Sequence, residues 1–509
     1  MDLDTPQKRH CWECLRRCLV CDSAQPSCSR CSTAGIQCPG YSESKPRRLR
    51  WLPPGKVISQ TRNSKPTSSP RIKNKRGRDR DQAVVTRVAT THLAIPRYHI
   101  WPEAYALVEA AHYCKSQTLK QDNACVHPDM VPIHDLGFNL HVYPLSSVHI
   151  QGSVAFPDHL RLSLVCMTLS HRINRMRKQT DCSALVQRFY HYRGRVLRSL
   201  SDDVGLTHRQ GGDVLLVSIV SLLLADIQQM PVPNWRWHVE GIRTLIQLRG
   251  GLRALDQSPG LRPLLRCFVF LTVSANTTSP ASDLYMASSY LGELDFIIEN
   301  YGCGVTPFHT CPPSLFGEMA RINSIRAHAC VGHNQSQEAY TILGRINNFT
   351  VEPWANSKPA ANEDWSLVGR IYQAAVALYC IRSLQSLSIL PSDDLLSAQC
   401  AAHTQRLHEL LGTALPNQRV QRFLLWPLVV LGVEASHGYA SGCNRPFVQE
   451  QLCEMSQQVG SYAPLAAKRV LERFWVSGAT SWDACFDQPY LFMNQFAVDM
   501  AGVAPDPSG

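Results

Sequence analysis

The chain has 509 residues, 44% hydrophobic and only 18% charged, with a formal net charge of +11. Soluble domains average about 25% charged residues, so most of this chain must bury a sizeable core. Disorder throughout and a small disulfide-stapled scaffold are both excluded, and the length alone suggests two to four domains at about 150 residues each.

The charge is concentrated in one place. Residues 1–44 carry five Lys/Arg and five Asp/Glu, residues 45–80 carry thirteen bases against one acid (Asp79), and residues 81–509 carry 33 bases and 34 acids. A stretch this basic points to a polyanion partner for that stretch alone. Residues 1–10 form a short polar lead with no apolar core, so no secretory signal is expected, and clustered cysteines then read as metal ligands rather than disulfides.

Residues 11–41 hold seven of the twenty cysteines. Six are spaced Cys11-x2-Cys14-x6-Cys21-x6-Cys28-x2-Cys31-x6-Cys38, two C-x2-C-x6-C halves seventeen residues apart. Zinc prefers four thiolate or imidazole ligands in a tetrahedron. Two Zn²⁺ ions need eight ligand positions and six thiolates are on offer, so two sulfurs must bridge. The first Cys of each half, Cys11 and Cys28, is best placed to do so. Two Zn²⁺ and six thiolates sum to −2, which Lys8, Arg9, Arg16, Arg17 and Arg30 offset. The metal also supplies folding energy to about thirty residues that have almost no core. Cys18-x2-Cys21 opens a rival reading, in which Cys11, Cys14, Cys18 and Cys21 hold one zinc and Cys28, Cys31 and Cys38 are left stranded. Otherwise Cys18 is a spectator thiol.

Residues 42–90 read as a disordered basic linker: between Leu52 and Gln82 the only large aliphatics are Leu52, Val57, Ile58 and Ile72, and no aromatic is present. Two basic clusters, Lys45/Arg47/Arg48/Arg50 and Lys73/Lys75/Arg76/Arg78, serve in this reading as phosphate contacts and nuclear import signals. The import residues are Lys45, Arg47, Arg48, Lys73, Lys75, Arg76 and Arg78.

Residues 91–509 read as one large all-α regulatory domain of about ten helices. The run from Asp213 to Met230 is apolar nearly all round and stops at Pro231. Trp235 to Gly250 is amphipathic and ends on Gly250-Gly251. Further helices are expected at Leu160–Lys178, Ser183–Leu200, Pro263–Ser274, Asp283–Ile298, Leu367–Leu387, Asp393–Leu411, Gln418–Ala435 and Pro464–Val476. The mixed acidic and aromatic stretch after Asp483 reads as a last packed helix in preference to an activation segment. Asp202-Asp203 and Asp393-Asp394 read as helix caps, and His171, His191 and His238 as ordinary helix-surface or core polar groups. No apolar run reaches the ~18 residues of a membrane span: Val214–Ala225 and Phe423–Val433 are the best, and Pro427 interrupts the second.

The cysteine spacing, with Asp22 after the third Cys and Pro26 before the fourth, resembles the fungal Zn(II)2Cys6 binuclear-cluster transcription factors. The stretches LLLADIQQ, WRWHVEGIRTLIQLRGG and FLLWPLVVLGVEA are similar to the helical regulatory domain of fungal-specific transcription factors. The resemblance implies one zinc on Cys11, Cys14, Cys21 and Cys28, and a second on Cys11, Cys28, Cys31 and Cys38. It further implies a nuclear, sequence-specific regulator of RNA polymerase II genes controlling a metabolic, drug-response or secondary-metabolite set. Its partners would be double-stranded DNA, an import receptor and the transcription machinery, with no membrane. DNA contacts fall to Lys8, Arg9, Arg16, Arg17, Arg47, Arg48 and Arg50. The family packs bases between its second and third Cys to read a CGG triplet, and here Leu15, Cys18 and Val20 replace three of them. A bidentate Arg or Lys contact to guanine is worth about 1–3 kcal/mol of discrimination, so CGG reading is weakened or moved. The alternative is a zinc-braced, chromatin-associated co-regulator that binds DNA only non-specifically. A homodimer is compatible with the family, yet no heptad is sustained over residues 80–120. Hydrolase, zincin, P-loop and dinucleotide motifs are absent, so no enzyme is expected.

Overall fold

The computed structural model describes residues 11, 13–14, 21–39, 104–115, 134–136, 156–177, 181–206, 212–229, 235–287, 291–293, 295–296, 298–299, 311–329, 335–437 and 441–494. The chain divides into two compact units, residues 1–93 and 94–509. In the first unit the described secondary structure is one short helix, α1 (Ser29–Thr33), which follows directly on Cys28.

In the second unit every regular element among the described residues is helical. In chain order the helices are α2 (Ala104–Lys115), α3 (Asp158–Met176), α4 (Ser183–Leu206), α5 (Gly212–Gln229), α6 (Trp235–Leu248), α7 (Leu252–Asp256), α8 (Arg262–Thr277), α9 (Pro313–Ala327) and α10 (Gln335–Asn347). They continue with α11 (Val351–Asn356), α12 (Asn362–Gln385), α13 (Asp394–Ala414), α14 (Leu425–Glu434), α15 (Ser441–Val459), α16 (Ala463–Ser477) and α17 (Trp482–Cys485). None of those described is long and apolar enough to cross a membrane.

Two buried helices organise the packing. α5 is apolar on almost every face, and Leu216, Val220 and Leu222 to Ala225 are all fully buried against α3 and α6. α12 buries an unbroken run from Ala374 to Ile381 among α9, α10, α11, α13 and α14. Charges that reach this interior are paired, as buried ions must be. Arg193 grips Asp226 with two bonds of 2.7 and 2.8 Å, and Arg382 grips Glu434 at 2.7 and 3.0 Å. Burial opposes ionisation of Asp226, but hydrogen bonds from His238 and Arg193 hold its carboxyl below the usual range. His171 is buried and bonded to the Tyr113 hydroxyl at 2.7 Å, an ordinary core role. Asp393 caps α13, its carboxylate accepting the Leu396 amide at 2.8 Å.

The structure departs from the sequence expectations in four places. The stretch Asp283–Ile298 is not one helix. The Asn276 side chain donates to the Tyr285 carbonyl and accepts the Tyr285 amide, both at 2.8 Å, holding that backbone out of helical geometry, and Met286 follows at φ +56°. Gln418–Ala435 splits into a 3-10 turn (Gln421–Leu424) and α14. Pro427 has no amide to give the Phe423 carbonyl, and the Tyr372 hydroxyl donates there instead at 2.8 Å. From Asp483 onward only Asp483–Cys485, the end of α17, are helical among the described residues. The described remainder, residues 486–494, runs irregularly, with Phe486 and residues 491–494 buried, the Tyr490 amide donating to the Thr278 carbonyl at 3.0 Å and the Thr278 hydroxyl to the Tyr490 carbonyl at 2.8 Å. Finally α2, α7, α9, α10, α11 and α15 were not expected, so the described helices outnumber the anticipated ten.

Candidate metal centre

The first unit's described core is built of cysteine. Cys11, Cys14, Cys21, Cys28 and Cys31 are buried together, and Cys38 packs half-buried against them. Each C-x2-C pair closes a tight turn in which the second amide points back at the first sulfur: Cys14 N donates to Cys11 Sγ at 3.4 Å, and Cys31 N to Cys28 Sγ at 3.4 Å. The two C-x2-C pairs thus share the same amide-to-sulfur contact. Their sulfurs interleave, with Cys11 Sγ 3.6 Å from Cys28 Sγ and 3.7 Å from Cys31 Sγ, and Cys14 Sγ 3.7 Å from Cys28 Sγ.

Two sets of four sulfurs result, Cys11/Cys14/Cys21/Cys28 and Cys11/Cys28/Cys31/Cys38, each with all its Sγ atoms within 4.8 Å of one another. Cys11 and Cys28 belong to both. Such a cluster can hold a metal, and soft thiolate donors in fours suit a tetrahedral ion of the zinc type. Burial, reinforced by the thiols of Cys11 and Cys28, pushes the Cys14 thiol up to about 12, and burial likewise raises Cys31. Six packed sulfurs cannot share thiolate charge without a cation among them, so the donor set fits one.

A second feature braces the cluster. The Asp22 carboxylate accepts the Ser29 hydroxyl and the Ser29 amide (3.1 Å), fixing the start of α1 beside Cys28. These bonds, the hydroxyl first, hold the Asp22 carboxyl below its usual range. The sequence singled out Asp22 by position; its partner Ser29, the first residue of α1 after the N-cap Cys28, was missed. Arg30 is exposed on α1.

The structure brings together all six cysteines of the repeat, including the Cys28, Cys31 and Cys38 that the compact Cys11/Cys14/Cys18/Cys21 alternative would leave aside. Cys18 itself lies outside the described residues, as do Leu15 and Val20. So do the DNA-contact candidates Lys8, Arg9, Arg16, Arg17, Arg47, Arg48 and Arg50, and the import candidates Lys45, Lys73, Lys75, Arg76 and Arg78.

Comparison with known proteins adds to this geometry. Residues 124–489 match the family model described as the fungal specific transcription factor domain. Over 98% of its length the chain is 40% identical to a phomenoic acid biosynthesis cluster-specific transcriptional regulator of Leptosphaeria maculans, covering 92% of that relative. Both findings point to a transcription regulator and not to an enzyme. No solved structure matches the chain.

Proposed function

Because the chain belongs to the fungal specific transcription factor family, we propose that it is a zinc-dependent, sequence-specific DNA-binding protein of the nucleus that regulates a biosynthetic gene cluster transcribed by RNA polymerase II. The observation that carries this reading is the pair of four-sulfur sets sharing Cys11 and Cys28, in a chain whose second unit is helical among its described residues. Residues 11–41 form the DNA-binding module, residues 42–90 a disordered basic linker with the import signal, and residues 91–509 the regulatory domain. Cys11, Cys14, Cys21 and Cys28 hold one Zn²⁺, and Cys11, Cys28, Cys31 and Cys38 a second. The ions supply the fold energy that the short module lacks and no reaction chemistry.

Within the module the residues divide the work. Asp22 fixes Ser29 and with it the turn into α1, keeping the second half in register with the first. Arg16 and Arg17 read base edges, and Lys8, Arg9, Arg47, Arg48 and Arg50 neutralise phosphates. Each neutralised phosphate releases counterions, so the tail adds affinity and salt dependence without sequence choice. The relative's name supports a gene cluster as target, since it is called a cluster-specific regulator.

Zinc-loaded full-length protein is to be selected against a random duplex pool at about 150 mM salt, where non-specific binding is screened. The reading expects enrichment of a CGG-containing site, lost when Arg16 and Arg17 are both changed to Ala. Recovery of no motif, with binding that vanishes as salt rises, overturns direct readout. It favours the co-regulator instead, in line with Leu15, Cys18 and Val20 standing where the family places bases.

A further inference from the structure

We propose that the helical unit carries an effector site for an amphipathic organic acid, in the cavity between α16 and the irregular segment at residues 488–492. Protein interiors rarely leave voids larger than a water molecule. Two of the cavities in this unit stay small, at about 40 and 10 Å³. The cavity beside α16 holds about 550 Å³, within the roughly 300–1,000 Å³ of ligand pockets.

Its walls select the ligand's body. Ile227 from α5, Trp235 from α6, Ala466 and Val470 from α16, and Phe492 from the segment present an apolar surface drawn from four parts of the chain. Those walls are pinned before any ligand arrives: the Trp235 indole donates to the Pro489 carbonyl at 3.3 Å, and Thr278 holds Tyr490 through two backbone-directed bonds. A preformed pocket of this kind costs little ordering on binding.

The rim selects the ligand's head. Arg469 and Arg473 lie one turn apart on α16, and both line the cavity. Arg473 is engaged, donating to the Tyr490 hydroxyl at 2.6 Å and lying 3.8 Å from Asp487. Glu472, the carboxylate that also lines the cavity, is engaged too, by Lys468 at 2.7 Å and Gln449 at 2.9 Å. Arg469 is exposed and stacks on the Tyr462 ring, 5.4 Å from its centroid, yet among the described residues it forms no ion pair. A guanidinium left without an anion at the mouth of an apolar cavity matches a carboxylate carried on a hydrocarbon body. A ligand spanning Arg469 and Phe492 would bridge α16 and the last described segment of the chain, so its binding would stabilise the helical unit.

The test uses the full-length protein without DNA, so its failure and the failure of the DNA-binding reading are separate results. Decanoate, decanol and decyltrimethylammonium serve as matched probes in calorimetric titrations, with melting temperature as a second readout. Decanoate is expected to bind one per chain and raise the melting temperature. Decanol is expected to bind about tenfold more weakly, for want of the charged hydrogen bond, and the ammonium probe not at all. R469Q, at an exposed position that forms no ion pair among the described residues, brings decanoate down to the affinity of decanol. A466F fills the cavity and removes both. Equal binding of decanoate and decanol, indifferent to R469Q, overturns the acid class. Decanoate binding that survives in folded A466F overturns the location, and absence of decanoate binding in the unaltered protein overturns the site.

Discussion

The two units of the chain are held together by opposite means. In the first, the buried residues described are cysteines, and among the described residues no aliphatic or aromatic side chain packs with them. In the second, a continuous core runs from α2 to Met493 and includes fully buried Trp365, Tyr379 and Trp482. At about 25 cal/mol per Å² of apolar surface removed from water, the large unit can stabilise itself. The small one buries little but sulfur among its described residues, so in the proposed reading the metal supplies its stability. If the cluster holds zinc as proposed, one chain joins a region whose order depends on metal supply to one whose order does not.

Removing metal is the sharpest way to break this comparison. Chelation, or Cys28→Ser, which takes a sulfur from both sets at once, should empty the cluster of zinc and leave residues 11–39 open to protease. Structural zinc in such modules contributes about 10–16 kcal/mol. The urea transition of the helical unit should stay where it was; if it moves with the metal, the two units are not independently braced. Arg326→Ala is the matching test for the large unit. That guanidinium is almost wholly buried, pairing with Asp483 at 3.0 Å and donating to the carbonyls of Asn276 (2.8 Å) and Ser279 (2.7 Å). Its loss should cost about 3–5 kcal/mol in urea unfolding with zinc content unchanged. Smallest is Asp393→Ala, which deletes the cap of α13 and should lower the same transition by about 1 kcal/mol. A shift near zero would mean that packing, not the cap, fixes where that helix starts.

What the sequence made legible divides along the same line. A metal centre has to state its ligands at fixed spacing, so the six cysteines could be read directly, and the structure brings them into two sets of four. Helices that bury most of their circumference, such as α5 and α12, were equally plain. Those with more polar residues were not: α10 buries only Ala339, Ile342, Leu343 and Ile346, and α15 carries Pro446 inside it. The errors have a common cause in partners remote along the chain. Nothing near Asp283 announces that Asn276 will take both backbone groups of Tyr285, and nothing near Phe423 announces that Tyr372 will take the carbonyl Pro427 leaves unbonded.

The seat of Asp483 also sets an order of events at the ribosome. Its carboxylate accepts Arg326, the Ser386 hydroxyl and the Ala281 amide, so three distant parts of the large unit wait for it. Cys38, the last sulfur of the cluster, emerges about 445 residues earlier, which at roughly 5–20 residues per second is about 20 to 90 s. The cysteine module is therefore free to close during synthesis. The helical unit, by contrast, carries an uncompensated Arg326 until its final stretch is delivered, and translation arrested before residue 483 should yield a chain with its first unit finished and its second still open to chaperones.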